Sequence, residues 1–226
     1  MNTTKSAANK KHTERSGREA ILDAAERLFA ENGMAGVSMR NLTKLAGTNL
    51  ASVNYHFGSK ENLFTEVIAR RIRPINARRL ELLAVAMEQG GESGPSLKQV
   101  LDAFVRPMFE MGATTEQREH LRLLITRVFT EADSVSMPIF ETELLPVGQQ
   151  FGKAISLARP NLEYKQIAMG MFFFVGATIN LFVSMRRFAR LGAVMGGVPE
   201  NEEMLEMLVK SGVAIFDSLG AEGAVE

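Results

Sequence analysis

Cysteine is absent from all 226 residues, which excludes a disulfide framework and any thiolate metal site. Histidine occurs three times, at His12, His56 and His120. None has a Ser, Asp or Glu partner at a spacing that builds a nucleophile or a metal constellation. No phosphate-cradling glycine loop is present, so neither an enzyme, a cofactor nor a metal is expected. The period-2 alternation of strands is missing, as are internal repeats, and the chain reads as all-α. Lys5, Lys10, Lys11 and Glu14 interrupt a polar start unlike a secretory leader, and a bacterial-type cytosol is the expected setting.

Net charge is also absent, but only in the sum. Residues 1–80 hold 14 Lys and Arg against 7 Asp and Glu, whereas residues 81–226 hold 12 against 19. A basic front and an acidic rear suit a chain that presents one end to a polyanion; solvated faces of opposite sign are the plainer account. With 46% hydrophobic residues the chain has enough apolar material for a sizeable core.

What is present in the front is a pattern of caps. Ser16 with Glu19 forms a capping box that opens a helix through Ile21, Ala25 and Leu28, closed by Asn32-Gly33. Ser38 caps a second helix with Met39, Leu42, Leu45 and Ala46 on one face, and Gly47 stops it. Asn49 caps a third, with Val53 and Phe57 inward and Leu50, Ala51, Ser52, Asn54 and Tyr55 outward. Ser59 caps a fourth that starts at Lys60. Two short helices joined by a tight turn form a helix-turn-helix, whose second member lies in the major groove of DNA. In that role Leu50 and Ala51 meet thymine methyls, and Ser52 or Asn54 hydrogen-bonds a base edge. Ser38, Arg40, Tyr55, His56 and Lys60 hold phosphates, and Thr48 and Asn49 complete the contact set at the turn. His56 equally well only buttresses the turn.

The runs Ile21 to Gly33, Ser38-Met39-Arg40, Leu45-Ala46-Gly47 and Asn54 to Glu61 resemble the TetR family of bacterial regulators. The run Asn49 to Lys60 is similar, more narrowly, to the PsrA-type subgroup, whose members answer to fatty-acid-like effectors. Asn54 departs from the pattern, which commonly carries Tyr there. The resemblance implies a homodimeric repressor on a palindromic operator, released when a lipophilic, acyl-type effector enters the rear domain and shifts the helix that starts at Lys60. It implies a helix-turn-helix domain over 15–60 and a ligand-binding and dimerisation domain over 61–226, while the polar, aperiodic residues 1–14 read as a disordered tail. A helical lipid-binding or carrier protein with a basic membrane-facing end is the rival.

The rest of the chain continues in helices. The spacing predicts one from Lys60 to about Arg73, ended or kinked by Pro74. The arginines at 70, 71, 73, 78 and 79 then complement its C-terminal dipole or touch DNA. Gly90 to Pro95 reads as a loop, and Ser96 with Gln99 and Thr114 with Gln117 read as capping boxes. A helix from Pro138 to Ala158 is expected to bend near Pro146. Gln166 to Met185 is 20 residues without a charge, which suits a membrane span by length or a buried dimerisation helix. Asn201 to Leu219 is a further amphipathic helix. The dimer candidates are Phe174, Thr178, Phe182, Met185, Leu205, Leu208, Val213 and Phe216. The ligand candidates are Phe104, Met108, Arg127, Phe129, Phe140, Phe151, Phe172, Phe173 and Asn180, which an ordinary helical core also explains. Arg106, Arg122 and Arg127 either receive a carboxylate head or pair with acids such as Glu110 or Glu131.

Overall fold

The computed structural model describes residues 3–110, 115–129, 131–195, 197 and 200–221. Among these the chain is helical and has no strand. The helices are α1 (Thr3–Asn32), α2 (Met39–Ala46), α3 (Leu50–Phe57), α4 (Lys60–Gly90), α5 (Leu97–Glu110), α6 (Thr115–Val128), α7 (Asp133–Ile139), α8 (Leu145–Ala158), α9 (Tyr164–Met195) and α10 (Asn201–Ala221). By contact the chain forms two compact units, residues 1–71 with 112–140 and residues 72–111 with 141–226. These units do not coincide with the sequence division at residue 60, because the first turns of α4 and all of α6 and α7 pack with the front.

In the first unit α1 buries Ile21, Leu22, Ala25 and Phe29, and Phe29 meets Phe64 of α4 edge-to-face at 5.2 Å between ring centroids. The expected tail over 1–14 is corrected: α1 is helical from Thr3, with no start at Ser16. Ala7, Ala8, Lys10, Lys11 and Glu14 are good helix formers and no proline intervenes, so nothing stops the helix running backwards. The Ser16 side chain and the Thr114 capping box lie outside the described residues.

A second correction concerns α4, which continues through Pro74 to Gly90. The proline costs one backbone bond, to the Arg70 carbonyl, but it sits on the exposed face. Buried residues keep helical spacing on both sides of it: Leu63, Phe64, Val67 and Ile68 before, Ile72, Ile75, Leu83 and Ala86 after. The arginines are therefore not at a helix end. Arg70 and Arg71 both donate to Glu26 of α1, which is buried, and Arg70 also reaches Asp23 at 2.7 Å. Burial works against the Arg70 charge, but its hydrogen bonds to Glu26 and Asp23 outweigh this and raise its pKa. In the second unit Arg73 donates to Glu143 at 2.9 Å and Arg78 to Glu81 at 3.0 Å.

The second unit is built around Leu97, Val100, Leu101 and Phe104 of α5, Phe151 and Ile155 of α8, Phe174 of α9 and Phe216 of α10. Its α5 starts with the expected box: the Gln99 amide donates to Ser96 Oγ at 3.2 Å and the Ser96 amide to Gln99 Oε1 at 3.1 Å. The helices α9 and α10 approach closely through glycine. A Cβ at Gly170 would stand 2.4 Å from the Phe216 ring, and one at Gly212 would stand 2.6 Å from the Phe174 ring. Each phenylalanine thus fills the space its partner helix leaves open. Ahead of Pro146, where a bend is expected, the chain passes through a π-helical turn over Phe140–Leu144. Pro146 then lies in the first turn of α8, where its missing N–H has no helical partner to lose. Tyr164–Met185 is long and apolar enough to cross a membrane by length and composition, with a mean hydropathy of 1.9.

Candidate nucleic-acid interface

Caps fix the ends of α2 and α3. Ser38 Oγ accepts from the Asn41 amide at 3.2 Å, and Gly47 adopts the left-handed conformation at φ 64° that ends α2. Two residues later Asn49 Oδ1 accepts from the Ser52 amide at 2.9 Å and starts α3. Gly58, at φ 75°, turns the chain into Ser59, whose Oγ accepts from the Asn62 amide at 3.0 Å and opens α4. Helix α3 is anchored by buried Val53 and Phe57. Arg18 holds its far end, with its guanidinium 5.3 Å from the Phe57 ring centroid and 3.0 Å from Glu66 of α4.

What remains outward on α3 is Leu50, Ala51, Asn54 and Tyr55, all exposed, with Ser52 and His56 half-exposed. Tyr55 and His56 stand edge-to-face at 5.1 Å. Thr48 is half-buried and its amide donates to the Thr43 carbonyl at 3.0 Å, so its backbone serves the turn. Asn49 has committed its carbonyl oxygen to the cap, while its amide nitrogen stays available. Ser38 keeps a hydroxyl proton to donate, since its cap uses the oxygen as acceptor.

The charges around this face are sorted. Arg18, Arg27, Arg70 and Arg71 are paired with acids of the same unit. Among the described residues Arg40, Lys44 and Lys60 make no ion pair. These cations lie on α2 and on the first turn of α4, flanking α3 in sequence.

Known proteins share both halves of this arrangement. The family of bacterial regulatory proteins of tetR type matches residues 21–67, and the tetracyclin repressor-like C-terminal domain matches residues 102–214, half of the chain. The chain belongs to the TetR family. Relatives of this TetR-family chain include the transcriptional repressor AcnR of Corynebacterium glutamicum, 45% identical over 21% of this chain and 25% of its own length. The transcriptional regulator AcrR of Shigella flexneri is 30% identical over 52% of this chain and 50% of its own. The chain thus spans between a quarter and a half of the length of these curated relatives. The TetR-family regulator PfmR of Thermus thermophilus shares the fold, with a TM-score of 0.53 at 15% identity over 87% of this chain and 97% of its own. A solved TetR-family structure from Mesorhizobium loti has a TM-score of 0.61 at 17% identity over 91% and 97%.

The expected ligand residues are not brought together. Phe104, Met108 and Phe151 are buried in the second unit, with Phe104 and Phe151 edge-to-face at 5.1 Å. Phe172, Phe173 and Asn180 are exposed on α9, and Asn180 accepts from the Ser184 hydroxyl. Phe129 and Phe140 are exposed residues of the first unit, where Arg127 lies beside Gly33 and donates to the Glu31 carbonyl. The other two arginines have acid partners. Arg106 pairs with Asp102 and Glu202 and Arg122 with Glu119, and these hydrogen bonds raise both pKa values.

The dimer candidates lie mostly in the interior of one protomer. Phe174, Thr178, Phe182, Leu205, Leu208 and Phe216 are buried inside one protomer, and Met185 and Val213 are half-buried. A side chain already covered by its own chain offers no area to a second copy. The apolar residues that these helices leave uncovered are Met169, Phe172, Phe173, Phe188, Leu191 and Val194 of α9 and Met207 of α10.

One residue that pattern reading missed is Arg79 of α4. It is 7% exposed, with its guanidinium carbon 4.0 Å from the Phe104 ring centroid. Nε donates to the Phe104 carbonyl at 2.7 Å and Nη1 to Asn76 Oδ1 at 3.1 Å. No carboxylate pairs with it among the described residues. Burial lowers its pKa to about 10, which leaves it protonated at neutral pH. Its place was readable: Ile72, Ile75, Arg79, Leu83 and Ala86 share the buried helical stripe.

Proposed function

We propose that the chain is a homodimeric transcriptional repressor that inserts α3 into the major groove of a palindromic operator. The observation that carries this reading is the outward face of α3, exposed between two capped ends and flanked by Arg40, Lys44 and Lys60, which make no ion pair among the described residues. Leu50 and Ala51 meet thymine methyls, Ser52 or Asn54 reads a base edge, and Arg40, Tyr55, His56 and Lys60 hold phosphates with help from the Ser38 hydroxyl, Thr48 and Asn49. The second copy covers the exposed apolar face of α9 and α10, and two-fold symmetry then demands a palindrome. The protein acts in the bacterial cytoplasm, without catalysis. A lipophilic effector of the acyl class, suggested by the PsrA-type run at 49–60, binds one dimer geometry better than the other and so weakens DNA binding.

Selection of bound duplexes from a random pool, with and without acyl compounds, tests the whole reading. A palindromic consensus lost in the presence of effector is the expected outcome; recovery of random sequence overturns it. Asn54→Ala separates reading from holding. It should cost about 1–3 kcal/mol against the consensus base at one operator position. Equal losses on operator and random DNA would remove Asn54 from the reading set.

A further inference from the structure

We infer that the first half of α1 is a second DNA-binding element, a basic helical arm that lies on phosphates beside each site that α3 occupies. The inference rests on the reading that α3 enters the major groove, and it adds a contact that the helix-turn-helix does not make. Helix α1 changes charge where it meets the core. Residues 18–32 hold two cations against four acids, and their buried stripe begins at Ile21. Residues 3–17 hold Lys5, Lys10, Lys11 and Arg15 against Glu14 alone. Their only apolar side chains are those of Ala7 and Ala8. A helix without an apolar stripe has nothing to bury against its own chain, and about 15 residues of it are marginal alone in water. It also has no large apolar residue to seat in a protein pocket or to insert into a lipid surface. The partner its composition suits is a polyanion.

Arg18 marks where the arm leaves. Its guanidinium lies 5.3 Å from the ring centroid of Phe57, the last residue of α3, and 3.0 Å from Glu66 of α4. Lys11 and Arg15 precede Arg18 by seven and three residues, so helical spacing puts all three on one stripe. The basic stripe of the arm thus continues from the C-terminal end of α3. From Arg18 back to Thr3 the helix runs about 22 Å, at 1.5 Å per residue. Laid along the duplex, that is more than half of a ~34 Å helical turn and less than a whole one. The arm therefore reaches the backbone beside the site of α3, and not the next major groove. A helix about 10 Å across cannot enter the ~6 Å minor groove. Its contacts are to phosphates, and they add affinity without reading sequence.

Salt titration of duplex binding by the full chain, with hydroxyl-radical footprinting, decides the matter. Lys11→Gln/Arg15→Gln should lower the slope of log K against log salt by about two per protomer, at ~0.9 per phosphate. Lys11→Arg/Arg15→Lys keeps both charges and should keep the wild-type slope. In the footprint the wild type should protect backbone about half a helical turn from the bases that α3 reads, and the neutral variant should lose that protection alone. Both positions precede the core, so urea unfolding should give the wild-type midpoint for each variant. An unchanged slope or an unchanged footprint in the neutral variant would overturn the inference. An unchanged slope together with lost binding to phosphatidylglycerol vesicles would reassign the arm to a membrane. The slope difference is also read on random duplex, so the arm is decided even where no palindrome is recovered. A palindrome recovered without the slope difference removes only the arm, and the converse removes only the operator reading.

Discussion

The first unit buries a carboxylate and the second buries a cation, and the two are treated in opposite ways. Glu26 is enclosed with two arginines of α4, and Asp23 and Glu19 join the network. Arg79 is enclosed with an aromatic ring, a carbonyl and an amide, and no acid among the described residues. Among the described residues the front pairs its buried carboxylate within the unit and keeps its unpaired cations on the surface. The rear keeps its spare cation inside, against the Phe104 ring. A buried ion pair holds an orientation, whereas a buried charge left without a counter-ion is a stability cost.

Breaking the comparison at its strong end should give the largest effect. Glu26→Ala leaves two guanidinium groups without their shared acceptor and should cost about 3 kcal/mol, the low end for a broken buried pair, because Arg70 and Arg71 keep some solvent access. Urea unfolding measures it, and a cost near zero would show that Asp23 and Glu19 suffice. In the rear, stability rests on shape. Gly212→Ala drives a methyl group against Phe174 and Leu101 and should cost about 2 kcal/mol by overpacking. That loss should not change with salt, whereas the Glu26→Ala loss should shrink as salt rises; the same salt response for both would dissolve the contrast. Arg79→Met reverses the sign: it removes an uncompensated charge at similar volume and should stabilise the ligand-free protein by about 1 kcal/mol. A lower melting temperature for Arg79→Met would make Arg79 a structural residue after all. The smallest effect is expected at the front surface, where Lys60→Ala should leave folding unchanged and lower the salt slope of DNA binding by about one.

The capped elements were legible in the sequence because a cap is local chemistry. Ser38, Asn49, Ser59 and the Ser96–Gln99 box each act where their spacing predicts. The helix end inferred from Pro74 fared less well. Pro74 lies on an exposed face of a helix held by buried residues on both sides, and packing overrode it. The role of the arginines was misread for the same reason: with α4 assumed to end at Arg73, their partners 47 or 70 residues away were invisible. For α9 and α10, apolar composition could not say which side chains face inward. The buried set contacts its own chain through Gly170 and Gly212, and the uncovered set lies on other faces of the same helices.

The reader helix α3 has only eight residues, about 12 Å of length at 1.5 Å per residue. At 3.4 Å per base step that face spans about three or four base pairs. Four base pairs distinguish about 250 sequences, far short of the ~10⁶–10⁹ competing sites of a genome. One copy of this helix carries too little information to choose an address, and the arithmetic itself calls for a second reader held at a fixed distance.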